Sequence, residues 1–168
     1  MAHDAHWAVT ETDLVPFRLE LSRLMRKSAA RTVLFTDTAG HLLTYTGQRP
    51  EIDVQAFLAL CAGDYAASRE MAGMLGEDRF QALYHESDHH QIYITEMGTA
   101  ALLILLFDHG STLGLVRWAV KKYRTALARA LNRALKGARD RAVVAGSPIP
   151  GEPTAQSVDD ALDAFFDA

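Results

Sequence analysis

The sequence predicts an α+β domain in which three helices flank a five-stranded, mostly antiparallel sheet. Three observations carry this: apolar residues at helical spacing in three segments, five short runs of extended patterning between them, and turn residues at the junctions. The element order reads α-β-β-α-β-β-β-α, followed by an acidic tail. The 168 residues suit one domain plus that tail. The expected division is a flexible N-terminus over 1–12, a domain over 13–141, and a disordered Pro/Gly linker with an acidic docking tail over 142–168.

Asp13 is the expected cap of the first helix, with Pro16 in its first turn, where a missing N–H costs little. Leu14, Phe17, Leu21, Leu24, Met25 and Ser28 fall on one face, and Arg26 and Lys27 complement the C-terminal dipole. The runs Arg31–Asp37 and His41–Thr46 predict two strands joined through Thr38-Ala39-Gly40. The first is rich in β-branched and aromatic residues and should be the more central.

Gly47-Gln48-Arg49-Pro50 breaks the pattern, and Asp53 can cap a long second helix over about Val54–Leu75. Its predicted buried stripe is Val54, Phe57, Leu58, Cys61, Tyr65, Ser68 and Met71. Beside it runs a second face of small residues: Ala59, Ala62, Gly63, Ala66, Ala67, Ala72 and Gly73. Such spacing admits another backbone at close range. Each helical glycine costs about 1 kcal/mol relative to alanine, so a packing gain should offset it. That gain could come from a partner or from the chain's own sheet.

Three strands are expected next, at Phe80–Glu86, Gln91–Glu96 and Thr99–Asp108, the last two joined by Met97-Gly98. The third is apolar on both faces and belongs at the sheet centre. Ser111 or Thr112 caps the final helix, whose inner stripe is Leu113, Val116, Val120, Tyr123, Leu127, Leu131 and Ala134.

Composition bounds the function. The single cysteine, Cys61, excludes an internal disulfide framework. No run approaches the roughly 18 apolar residues of a membrane helix, and residues 1–10 lack the pattern of a secretory signal. A cytosolic protein without membrane insertion is the expectation.

Charge is uneven: residues 1–116 carry 8 basic and 15 acidic side chains, 117–141 carry 9 and 1, and 142–168 carry none and 5. Arg117, Lys121, Arg124 and Arg133 read as the outer face of the last helix. A contact with a partner or with the tail is the alternative. No stacking platform accompanies these cations, so nucleic acid is not expected as a ligand.

Candidate chemistry is sparse. His85, His89 and His90 cluster, but they span a strand end and a polar turn without a second ligand group. Cys61 lies on the predicted buried stripe, an unfavourable place for a nucleophile. No phosphate loop, dinucleotide fingerprint or serine elbow occurs. The chain reads as a non-enzyme with no cofactor and no metal.

The element order resembles the roadblock/dynein light-chain superfamily. More specifically, Leu60-Cys61-Ala62-Gly63-Asp64-Tyr65-Ala66-Ala67, Met74-Leu75-Gly76-Glu77, Phe80, His85-Glu86, Phe107-Asp108 and Thr112 to Arg117 are similar to bacterial MglB-like proteins. The tail Asp159 to Phe166 also resembles the end of some such chains, and the match spans about residues 13–136 plus this tail. The resemblance implies a cytoplasmic homodimer, with a cell pole as its expected site, that activates an MglA-like small Ras-like GTPase, favouring its GTP-bound form, in bacterial polarity or motility. Activation would proceed by reorganising the GTPase's own catalytic groups. The partner face implied is Ala59, Ala62, Gly63, Ala66, Arg69, Glu70 and Gly73, and the tail would dock through Leu162, Phe165 and Phe166. Arg69-Glu70 departs from the small residues common there. That pair motivates the alternative of a roadblock scaffold that tethers a GTPase or polarity protein without activating it.

Overall fold

The computed structural model describes residues 10–98 and 100–144. Its elements are α1 (Glu11–Ser28), β1 (Thr32–Asp37), β2 (Leu42–Gly47), α2 (Val54–Met74), β3 (Leu83–Glu86), β4 (Gln91–Met97), β5 (Ala101–Phe107) and α3 (Leu113–Val144). The strands form one sheet in the order β2-β1-β5-β4-β3, with every neighbouring pair antiparallel. β5, apolar on both faces, occupies the centre as expected, and β1 lies beside it.

Alternation along the strands sorts the core into two layers. Val33, Phe35, Leu103, Leu105 and Phe107 pack with Phe17, Leu21 and Leu24 of α1 and Val116, Leu127 and Leu131 of α3. Phe17 and Phe35 meet with ring centroids 4.6 Å apart. On the opposite face, Leu34, Ile94, Leu102 and Ile104 pack with Leu58, Cys61, Ala62 and Tyr65 of α2. Among the described residues, one face of the sheet thus carries two helices and the other only α2, whose outer side is left open.

The first helix starts earlier than Asp13. Thr10 is its N-cap, and Asp13 is the third helical residue, accepting from the Thr10 N–H and hydroxyl at 2.8 and 2.7 Å. The Thr-x-x-Asp spacing is a capping box, and it displaces Pro16 into the second turn, on the exposed side. Asp53 caps α2 as expected, accepting from the Ala56 N–H at 3.0 Å. For α3 the cap is Thr112, which accepts from the Leu115 N–H at 3.2 Å.

The β1–β2 turn fixes where α2 lies. Asp37 Oδ1 accepts from the N–H groups of Ala39 and His41, and Gly40 takes φ +90°. A Cβ on Gly40 would fall 2.8 Å from the Ala59 Cα, so this turn tolerates only glycine against the helix. Gln55 Nε2 closes the junction by donating to the Gly40 carbonyl at 3.0 Å.

β3 is shorter than expected, beginning at Leu83 rather than Phe80. The Glu96 carbonyl of β4 accepts from Arg124 Nη2 at 3.0 Å instead of extending the ladder, and Thr95 Oγ1 holds the departing segment by donating to the Gln81 carbonyl. Among the described residues, no helix is long and apolar enough to cross a membrane.

Candidate functional site

Among the described residues, the outer side of α2 is left uncovered by the fold. Ala59, Gly63, Ala66, Ala67, Glu70 and Gly73 are exposed on it. A Cβ built on Gly63 or on Gly73 would meet nothing within 4 Å, so neither glycine serves packing among the described residues. Around this low strip stand Leu60, Met71, Met74 and Leu75, the first 74% and the third 87% exposed. A flat strip of small residues bordered by large exposed apolar side chains is a surface suited to a protein partner.

Two parts of the expected helix pattern need correction. Ala62, assigned to the partner face, is 6% exposed and packs in the inner core with Leu58 and Tyr65. Ala72 is likewise fully buried, and it takes the inward position expected of Met71, which is 52% exposed. The inward residues recur at Leu58, Cys61, Tyr65, Ser68 and Ala72, steps of three and four that leave Met71 turned outward.

Arg69 stands at the border of this strip. Its guanidinium lies 4.0 Å from Glu96 Oε1, with the side chain half exposed. Glu96 is buried and accepts from the Tyr65 hydroxyl at 2.7 Å and from Arg79 Nη1 at 3.4 Å. Sequence periodicity had no means of showing this cluster, because Glu96 occupies an inward strand position where an apolar residue is the ordinary expectation.

The candidate nucleophile and metal ligands are placed plainly. Cys61 is buried on the inner side of α2, and burial, then Asp64, pushes its thiol up to about 11. A thiol so protonated at neutral pH is a poor nucleophile. His85 Nε2 lies 2.7 Å from Asp64 Oδ2, joining β3 to α2, while His89 and His90 are exposed at the β3–β4 turn. Among the described residues, no three His, Cys, Asp or Glu side chains are placed to hold a metal ion. Leu162, Phe165 and Phe166 lie outside the described residues.

A helix of this kind on one face of a five-stranded antiparallel sheet, with two helices on the other, is the architecture of the roadblock class. The chain belongs to the Roadblock/LC7 domain family, whose model matches residues 17–107. Within that family it is similar to MglB of Myxococcus xanthus, at 30% identity and a TM-score of 0.65 over 70% of this chain and 96% of that one. It is equally similar to the gliding protein MglB of Thermus thermophilus, at 30% identity and a TM-score of 0.68 over 75% and 96% of the two chains. A structure described as MglB with a tetrameric arrangement is 29% identical, with a TM-score of 0.68. Comparison with curated proteins returned no match.

Proposed function

We propose that this chain is a homodimeric regulator of an MglA-type small Ras-like GTPase, stimulating hydrolysis by holding the GTPase's own catalytic groups in a competent arrangement. The observation that carries the reading is the open strip of Ala59, Gly63, Ala66 and Gly73, which no part of the described chain fills. Similarity to MglB proteins, one of them a gliding protein, supports the reading of a GTPase as the partner of that strip. Two copies would pair α2 on α2 and β3 on β3, giving the open sheet edge a partner and leaving the joined helices as a platform.

Phosphoryl transfer depends mainly on positioning and charge stabilisation, so a partner without catalytic side chains can accelerate it by binding the competent state preferentially. Arg69 is an unsuitable inserted arginine, being directed toward Glu96 of its own chain. The tail residues Leu162, Phe165 and Phe166 would supply a second contact, and the setting would be the cytoplasm, with cell polarity or motility as the process.

Ala66→Arg tests the platform. It places a long cation on an exposed helical position, so the fold should persist while binding of the GTP-loaded GTPase is lost. Normal stimulation of single-turnover hydrolysis by this variant would remove α2 from the binding face. The charged pair Arg69-Glu70 at the border of the strip favours a second reading, a scaffold that binds without activating. The same hydrolysis assay on the wild-type chain separates the two.

A further inference from the structure

A second surface lies where residues 77–82 depart from β4. An open groove of about 1100 Å³ forms there, with Arg117, Trp118, Lys121 and Arg124 of α3 along one wall and Tyr93 and Val120 at its base. Trp118 is 49% exposed, unusual for a large indole on a core-packed helix, and Lys122 Nζ lies 4.8 Å from its ring centroid. Among the described residues, no carboxylate forms an ion pair with Arg117, Lys121 or Lys122. The 77–82 segment brings Glu77, Asp78 and Arg79 to the groove, and Arg79 is paired with Glu96, so the groove cations left without an ion pair among the described residues lie on the α3 side. Cations around an exposed indole, above an aromatic and aliphatic base, fit an acidic peptide that carries aromatic anchors.

We propose that the occupant is the chain's own C-terminal segment, Asp159–Phe166, folded back from the end of α3 onto this groove. The segment offers Asp159, Asp160 and Asp163 for the cationic wall, and Leu162, Phe165 and Phe166 for Trp118 and the groove base. The charges are complementary across the whole C-terminal third, with nine basic and one acidic residue over 117–141 and five acidic and none basic over 142–168.

The reach also suffices. Val144, where α3 ends, is about 35 Å along the helix from Lys121 at 1.5 Å per residue. The 14 residues from Ala145 to Val158 can span up to about 46 Å. A tether of this kind gives its end an effective concentration on the order of millimolar, enough to fill even a weak site. A tail seated there is withheld from other proteins until a better site draws it away. The proposal concerns the chain alone and stands or falls independently of the GTPase.

Trp118 is the reporter. The sequence has two tryptophans, and Trp7→Phe leaves Trp118 as the only indole. In the full-length chain at low salt, acrylamide quenching should rise about twofold when Phe165→Ser and Phe166→Ser remove the anchors that cover the ring. The same rise should follow addition of NaCl to about 0.5 M, where the Debye length shrinks to roughly 4 Å. Arg117→Glu with Lys121→Glu should give the high quenching at every salt concentration. Equal quenching with and without the two phenylalanines would overturn the proposal. Shielding that fades on dilution would overturn docking within one chain in favour of a second copy.

Discussion

The Tyr65 hydroxyl donates to Glu96 Oε2 at 2.7 Å, tying the inner side of α2 to the end of β4. Glu96 is 4% exposed, and an isolated carboxylate at such a position would cost several kcal/mol. Arg79 at 3.4 Å and Arg69 at 4.0 Å contribute charge but looser geometry. Burial first, then the bond to Glu96, raises the Tyr65 pKa, so the phenol remains a donor throughout the physiological range. This bond sits between the open side of α2 and the groove beside α3. It holds α2 with its small residues outward, while Arg124 takes the Glu96 carbonyl at the edge of the α3 groove.

Tyr65→Phe should therefore destabilise the fold by about 1–3 kcal/mol, the cost of leaving a buried acceptor short of its donor. Arg69→Ala should cost under about 1 kcal/mol, because a half-exposed ion pair at 4.0 Å is screened by solvent. Urea unfolding of both variants checks the order. A larger loss for Arg69→Ala would show that the ion pair, not the phenol, secures this corner.

Gly63→Ala and Gly73→Ala should each stabilise the isolated fold by about 0.5–1 kcal/mol, since alanine lowers the entropy lost on forming a helix. Nothing within 4 Å opposes the added methyl groups. If copies of α2 pair across this strip, the same methyls keep the helices apart and weaken the dimer. Urea unfolding at dilute concentration and sedimentation at high concentration should move in opposite directions. Destabilisation of the dilute chain would mean that the fold itself requires these glycines.

Much of this architecture is legible in one sequence because period and punctuation agree. α2 begins at Val54 after its Asp53 cap, and β5 reads as central from its unbroken apolar run. Two of the boundaries missed are set by side-chain chemistry, one local and one distant in sequence. Thr10 captures Asp13 and lengthens α1, and Arg124 takes the carbonyl of Glu96 where β3 would otherwise continue. For the candidate surface, residue size marks the right helix but not the right rotation. Alanine is equally at home against a sheet or on an open face, so Ala62 and Ala72 look like Ala59 and Ala66 until the helix is docked. The exposed rim of Leu60, Met71, Met74 and Leu75 was concealed for the related reason that large apolar residues are ordinarily read as core.

Cys61 provides a test of α2 docking through pH. The residue is 5% exposed, and burial, followed by the charge of Asp64, raises its thiol pKa from 9.0 to about 11. The folded chain keeps the proton between these values while the unfolded chain releases it. The thiol's contribution to stability is thus complete below pH 9 and is lost as pH rises toward 11. Cys61→Ala removes that dependence, so the stability gap between the two chains should narrow by up to about 2 kcal/mol across this window. At pH 8, labelling by a thiol reagent should be no faster than opening of the fold. Rapid labelling with a pH-independent gap would place α2 away from the sheet, and the outward face inferred for Gly63 and Ala66 would fall with it.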